Sequence, residues 1–436
     1  MIDEKNGNRN LVILGALIVQ LCLGSIYAWS FFQTALNGGS PPVGAYLWPG
    51  LMSQLPFAAG LASFALFMIV AGRWQDRVGP RKVATVGGIL LGTGYILAFF
   101  VDIVAGSDPL LGTVYLIITY GIIGGAGIGF AYVCPIAALV KWFPDKKGTI
   151  TGIAVAGFGA GALVFGYIEQ FLLTLFNVPT TANIGMPMLI LGIIYLVLVV
   201  LGSQLLTDPP KGWLPEGYTP PKSIANGSGV HCTPTRMIRT ASFWLLWLMF
   251  AFAATAGLMT LGNVKSASLA IDAATDGVVI VGVMSLLNAA GRIVWGATSD
   301  KFGRENTMIV MFSFLAVGMF TFAWMSTISI SWLAVMGIAS LIGFCFGGNF
   351  ALFPAATVDL FGSQNIGKNY GVMFTAYGIA GITGAFVAGP IVDLTGSYSM
   401  AFMMTGVLAI IAVLLTVVLR AVVWKVFKFE VDDSSH

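Results

Sequence analysis

Charge is scarce in this chain. Of its 436 residues, 9% are Asp, Glu, Lys or Arg, against about 25% in ordinary soluble domains. A surface that poor in charge does not keep a globular domain of this size in water. Histidine is nearly missing: His231 lies in a polar stretch and His436 is the last residue, which leaves no histidine to carry protons in the apolar segments. The four cysteines, Cys22, Cys134, Cys232 and Cys345, show no CxxC or paired spacing, so neither a disulfide framework nor a metal site is expected. Paired histidines and phosphate-binding loops are also absent, because the glycine-rich runs fall inside apolar segments. These absences argue against an enzyme, a cofactor and a nucleic-acid partner. The longest polar stretch is too short for a soluble output domain, which argues against a membrane sensor. The first ten residues are polar and the apolar run after them is too long for a signal-peptide core, so no cleavable leader is expected.

What the chain has instead is apolar length. Hydrophobic residues make up 57% of it, and the mean hydropathy is +0.90. A helix needs roughly 20 apolar residues to span a bilayer. Six such runs lie in the first half: Leu11–Leu36, Trp48–Ala71, Val83–Val104, Gly112–Val140, Gly148–Leu175 and Pro187–Leu206. Six more lie in the second: Ala241–Gly262, Gly277–Thr298, Asn306–Met325, Ile330–Leu360, Tyr370–Val392 and Ser399–Val423. Between them is a polar stretch rich in Pro and Gly. The expected fold is an all-α membrane protein of twelve transmembrane helices, in two pseudo-symmetric six-helix halves, residues 1–206 and 241–436, joined by a linker over 207–240.

The few cations test this count. With both termini in the cytoplasm, nineteen of the 21 Lys and Arg residues fall on the cytoplasmic side. Lys265 alone falls on the outer face, and Arg292 falls within the membrane. That asymmetry obeys the positive-inside rule and points to a multi-pass protein of the cytoplasmic membrane. The halves also repeat one another. Gly72, Asp76 and Gly79 recur as Gly296, Asp300 and Gly303, and Pro135, Gly148, Gly152 and Gly159 recur as Pro354, Gly367, Gly371 and Gly378. Parallel repeats of this kind mark a large class of secondary transporters.

Arg292 is the residue that most needs an explanation. It stands eight residues before Asp300, so at a rise of about 1.5 Å per residue it lies some 12 Å into the membrane, near the middle of an apolar core about 30 Å thick. An arginine there costs roughly 2.5–3.5 kcal/mol on insertion scales. By the same helical counting, Tyr132, Tyr377, Asn349, Tyr27 and Trp29 reach similar depth, and Asn288 is one turn from Arg292 on the same face. Together they would make a pocket with one cation, several hydrogen-bonding groups and aromatic walls, suited to a small anion with one carboxylate. Guanidinium holds a carboxylate through two parallel bonds, which lysine does not. The competing reading is an internal ion pair with Glu169, Asp102 or Asp359, each placed well away from the depth of Arg292. For each tyrosine, simple packing is an equal alternative. Glycines clustered at 124–129, 157–161 and 378–384 allow close helix contact, in a moving or a static bundle.

Two stretches carry a resemblance. GRWQDRVGPRK (Gly72–Lys82) and GATSDKFGRE (Gly296–Glu305) resemble the signature loop of the major facilitator superfamily, placed twice where that fold expects it. The resemblance implies gating loops built on Asp76, Arg77 and Gly79 and on Asp300, Lys301 and Gly303. A plain basic loop that sets topology is the alternative. GSIYAWSFF (Gly24–Phe32), VKWFPDKKG (Val140–Gly148), NAAGRIVWGATSDKFGR (Asn288–Arg304), GKNYGVMFTAYG (Gly367–Gly378) and TDPPKGWLPEGYTPP (Thr207–Pro221) resemble the oxalate/formate antiporter family and the related monocarboxylate transporters, over essentially the whole chain. Oxalate-handling members carry a lysine where Tyr377 stands, and a second cation suits a dianion. Animal-type monocarboxylate transporters carry a proton-linked acid where Asn288 stands.

The expectation is a secondary carrier of small organic anions, monocarboxylates such as formate, lactate or pyruvate, working as a monomer by alternating access. A coupling proton would need Glu169 or would travel with the substrate. Oxalate/formate exchange and efflux of drugs or other amphiphiles are the alternatives within transport, and efflux predicts a larger cavity.

Overall fold

The computed structural model describes residues 4–38, 46–106, 108–143, 147–178, 180–210, 213, 232–362 and 366–433. Most of the proposed linker, 207–240, and the side chain of Asp76 lie outside them. Eleven described helices are long and apolar enough to cross a membrane. They are α1 (Arg9–Leu36), α2 (Gly50–Val78), α4 (Pro109–Leu139), α5 (Gly152–Leu175), α6 (Gly185–Gln204), α7 (Ala241–Ile271), α8 (Gly277–Phe302), α9 (Arg304–Met325), α10 (Trp332–Phe361), α11 (Lys368–Thr395) and α12 (Ser399–Ala421). The twelfth expected helix is α3 (Pro80–Ala98). It falls short in hydropathy because it opens on Pro80, Arg81 and Lys82 and spends four further positions on glycine. It is nevertheless packed into the bundle against α4 and α6.

Helix ends follow local chemistry. Asp108, Asp276, Thr240 and Ser331 accept bonds from the first free N–H groups of α4, α8, α7 and α10, which satisfies donors that a helix start leaves unpaired. Gly79 and Gly303 each stop a helix at φ +87° and start the next one at the following residue. A side chain at that φ is strained, so the turn requires glycine. The stretches expected as loops, Gly72–Val78 and Gly296–Phe302, are therefore the last turns of α2 and α8, and only one residue in each is a turn.

Helices α1–α6 pack among themselves, as do α7–α12, and the two sets meet chiefly along α5–α8 and α2–α11. Large apolar side chains such as Leu66, Phe171 and Leu201 point outward, each at least 60% exposed, as lipid-facing residues do. Gly125 and Gly129 lie against α2 within their own set, while Gly378 and Gly381 lie against Ala65 and Leu61 of α2 across the divide.

The face bearing Gly79 and Gly303 also bears the basic residues. There Arg304 bonds Asp300 at 2.7 Å and Asp359 at 3.0 Å, tying the start of α9 to the ends of α8 and α10. The opposite, far face is closed by bonds between the two sets. Ser266 of α7 meets Thr34 and Gln33 of α1 at 3.0 and 2.7 Å. Gln54 Nε2 donates to Asn263 Oδ1 at 2.6 Å, and Lys265 Nζ donates to Gln170 Oε1 at 2.9 Å. Asp393 of α11 accepts from the backbone N–H groups of Gly50 and Leu51 at the start of α2, at 3.0 and 3.3 Å. This seam corrects the expected end of α7. The apolar run Ala241–Gly262 stops where the polar residues Asn263, Lys265, Ser266 and Ser268 begin. Partners across the seam satisfy Asn263, Lys265 and Ser266 instead, and the helix continues to Ile271.

Candidate functional site

Arg292 sits where α8 crosses α10 at close range. A Cβ on Gly291 would lie 2.0 Å from the carbonyl oxygen of Phe344, and one on Gly347 would lie 2.1 Å from that of Asn288. Only glycine lets the two backbones approach so closely. Across from this crossing lies α5. A Cβ on Gly159 would meet Asn288 Oδ1 at 2.7 Å and Arg292 Nε at 3.0 Å. The arginine is thus held at the junction of the two helix sets, and it is fully buried at 0% exposure.

Its hydrogen bonding is incomplete. Nε and Nη2 both donate to Asn288 Oδ1, at 3.2 and 3.1 Å. Asn288 is steadied in turn by its Nδ2 donating to the carbonyl oxygen of Gly343, at 3.2 Å. Nη1 has no hydrogen-bond partner. Among the described residues no carboxylate pairs with the guanidinium. Glu169 is buried elsewhere, and Asp359 is engaged by Arg304. Asp102 accepts from Gly185 N at 2.9 Å and from the Tyr46 hydroxyl. The cation lies 4.1 Å from the ring centre of Phe350 and 5.5 Å from that of Phe158. Such contacts contribute about 0.5–2 kcal/mol each and leave the charge uncompensated. A buried cation bonded to one amide oxygen still lacks its natural complement, a planar anion with two oxygens.

The rings around it interlock through Phe158. Tyr27 meets Phe158 at 5.1 Å and Tyr132 meets it at 5.2 Å, both edge-on. Phe64 joins Tyr132, Phe374 and Tyr377 at 5.0–5.8 Å. The hydroxyl of Tyr377 donates to that of Tyr27 at 3.0 Å, and the Tyr27 and Tyr132 hydroxyls both lie close enough to Arg292 for weak hydrogen-bonding as well as charge interaction. Arg292, Asn288, Tyr27, Tyr132 and Tyr377 therefore come together.

Trp29 does not join them. Its Nε1 donates to the carbonyl oxygen of Ser53 at 2.9 Å, and its ring lies 4.4 Å from that of Tyr120, in a widened π-helical segment of α4 at Ile117–Gly124. Tyr27 and Trp29 straddle the end of a tight 3-10 turn, Gly24–Ala28, so an argument from depth alone does not separate them. Asn349 is buried beside Phe350 in sequence, with neither amide atom bonded.

The expected midplane cluster is tightly closed in this structure. The five residues and the Phe rings pack against one another, all within 1% of complete burial, because 31 phenylalanines supply bulk that a list of polar residues does not register. Two cavities lie at the faces. One of about 210 Å3 at the far face is lined by Gln33, Asn37, Gly50, Asn263 and Asp393. One of about 360 Å3 at the basic face is lined by Asp300, Gly303, Arg304 and Asp359. At that face Arg77 and Lys301 are exposed, as expected of groups held at a membrane surface.

Phe350, Phe158 and Gly159 were not anticipated from the sequence. Phe350 and Phe158 carry no signal among so many phenylalanines. Gly159 is legible in the sequence as a repeat position and as part of a glycine cluster that allows close helix contact, but not as a neighbour of Arg292.

Comparison with known proteins agrees with this architecture. The family model described as Major Facilitator Superfamily matches residues 10–385. An uncharacterized MFS-type transporter, YhjX, of Escherichia coli (strain K12) is 32% identical, the match covering 86% of this chain and 86% of that one. The oxalate:formate antiporter of Oxalobacter formigenes is 28% identical over 93% of this chain and 90% of its own. Among solved structures, the xylose transporter XylE from E. coli superposes with a TM-score of 0.65 at 14% identity, over 94% of this chain and 97% of that one. At that identity the likeness concerns the fold alone.

Proposed function

This chain belongs to the Major Facilitator Superfamily, and on that premise we propose that it carries small monocarboxylates, of the size of formate, lactate or pyruvate, across the cytoplasmic membrane. The observation that supports this is the state of Arg292: fully buried, bonded to one amide oxygen, with Nη1 unbonded. A carboxylate completes that guanidinium through two parallel bonds. Asn288 orients it, and Tyr27, Tyr132 and Tyr377 supply hydroxyls to the remaining lone pairs. The site is flanked by residues of both helix sets, so rocking of halves 1–206 and 241–436 about it would expose it to one face at a time. Gly79 and Gly303, with Asp76, Arg77, Asp300 and Lys301, then act at the gating turns. The basic face is the cytoplasmic one, by the placement of Lys and Arg, with both termini on that side, and the working unit is a monomer.

A single buried cation favours a monoanion. The Oxalobacter relative, an oxalate:formate antiporter, favours the second reading, exchange involving a dianion, and Tyr377 is the residue that separates the two. A coupling proton would be carried by Glu169 or by the substrate itself.

The experiment is uptake of labelled formate, lactate, pyruvate and oxalate into proteoliposomes, with and without a pH gradient, by the wild type and Arg292→Ala. Uptake of at least one monocarboxylate that is lost in the variant is the expected result. A variant that carries its substrate as fast as the wild type removes the basis of this reading.

A further inference from the structure

Between α5 and α7 lies a charge arrangement that the substrate core does not use. Glu169 is 1% exposed, and neither of its carboxyl oxygens has a hydrogen-bond partner. Tyr95 of α3, Tyr120 of α4 and Tyr195 of α6 surround it within electrostatic reach. Their rings meet edge to face at 5.2 and 5.0 Å, and the hydroxyls of Tyr120 and Tyr195 are unbonded as well. On the side of α1, Ser25 lies within reach of the Tyr95 and Tyr195 hydroxyls and Cys22 within reach of Tyr195, and the Ser25 hydroxyl donates to the Cys22 carbonyl oxygen at 2.7 Å. The facing cation is Lys265 of α7, with Asp276 behind it at the start of α8. Lys265 is engaged elsewhere, at 2.9 Å from Gln170 Oε1 and 4.3 Å from the ring centre of Phe31.

An ionised carboxylate buried with no donor costs several kcal/mol, whereas a neutral carboxyl costs far less. Lys265 belongs to the opposite helix set and is bonded to the neighbouring residue, not to Glu169. Among the described residues the carboxyl therefore faces neutral hydroxyls and no cation bonded to it.

We propose that Glu169 is a proton-binding site, carrying its proton while the far face is closed and releasing it to water when that face opens, with Lys265 then moving from Gln170 to neutralise the carboxylate. The step balances: the O–H bond of Glu169 breaks, water takes the proton, and the ammonium exchanges an amide oxygen for a carboxylate. Because Glu169 and Lys265 lie on different helix sets, the proton alters the attraction across the seam that must open. The site deepens the carrier reading and rests on it for its role in transport. A proton and a monocarboxylate taken up together add no net charge to the core.

The test uses full-length protein in liposomes and two readouts. Infrared difference spectra, recorded as the buffer passes from acidic to alkaline, should show a protonated-carboxyl stretch that Glu169→Gln lacks. Lys265→Gln, which removes the receiving cation, should hold that band to higher pH. In the same liposomes, pH-gradient-driven uptake of formate, lactate or pyruvate should fall about tenfold or more in Glu169→Gln, while substrate exchange at equal pH slows by no more than about threefold. If Glu169→Gln does not fold, Glu169→Asp replaces it, and the band must then shift in frequency. A band unmoved by substitution at position 169, or gradient-driven uptake as fast as in the wild type, overturns the proton site. A band that behaves as expected in a protein that moves no carboxylate keeps the proton site and overturns the carrier reading.

Discussion

The hydroxyls of Tyr377 and Tyr27 meet at 3.0 Å, 350 residues apart in sequence, and the bond joins α11 to α1 across the two helix sets beside the buried guanidinium. Each hydroxyl is occupied by the other in the closed core. On the proposed reading, a carboxylate arriving at Arg292 would compete for both, so substrate recognition and the contact between the sets would draw on the same two groups.

Tyr377→Phe should weaken apparent substrate affinity about three- to tenfold, the scale of one buried hydrogen bond at about 1 kcal/mol, with little loss of folded protein. Tyr377→Lys adds the second cation found in oxalate-handling members and should move the preference from formate or lactate toward oxalate. Competition of each unlabelled acid against a labelled one reads the shift, and an unchanged order of preference means that Tyr377 does not set the charge of the substrate.

Arg292→Ala should abolish saturable uptake, since charge-assisted bonds contribute about 1.5–3 kcal/mol each and two are lost. Arg292→Lys keeps the charge and loses the fork, so it should retain transport at roughly a tenth or less of the wild-type rate. Equal rates for the two variants would show that charge alone is irrelevant at this position. Initial rates over a concentration series make the comparison.

Gly159→Ala places a methyl 2.7 Å from Asn288 Oδ1 and 3.0 Å from Arg292 Nε and Ala289 Cα. Overpacking of this kind costs about 1–3 kcal/mol. The variant should unfold at lower temperature than the wild type and should transport more slowly. Gly337→Ala is the control, because nothing lies within 4 Å of a Cβ there, and it should behave as wild type. Thermal unfolding in detergent and uptake in liposomes separate the two effects.

Asp393→Ala removes the carboxylate that holds the start of α2 from the other helix set. A helix N-terminal cap contributes about 0.5–2 kcal/mol, so opening at the far face should increase roughly two- to thirtyfold. Asn37→Cys, in the far-face cavity, should then react correspondingly faster with a bulky charged maleimide. Labelling at the wild-type rate would show that the Asp393 contact does not hold the seam.

The sequence announced the architecture more fully than the contacts. The apolar runs, the distribution of Lys and Arg and the repeated Gly–Asp–Gly spacing are properties of single residues against lipid, and they lead to the helices directly. The depth of Arg292 follows from counting helical rise, and so does its neighbour Asn288. What did not follow were properties of pairs. The last turns of α7 read as loop because Asn263, Lys265 and Ser266 are polar, and only Gln54, Gln170, Gln33 and Thr34 on other helices make them acceptable inside one. Trp29 was placed with Tyr27 by depth, but its indole turns to Ser53. Glu169 read as a residue near a helix end, and its burial depends on tyrosines from three other helices.

The far-face seam joins the two sets in part through hydroxyls, amides and one capped helix start, beside apolar contacts such as Gly389 against Leu51 and Gly262 against Phe57. Water replaces hydrogen bonds nearly one for one, whereas wetting hydrocarbon raises the heat capacity by about 0.45 cal/K/mol for each Å2 exposed. The polar contacts should therefore add little to the heat-capacity change of opening, and the curvature of that equilibrium with temperature reports the apolar surface wetted beside them.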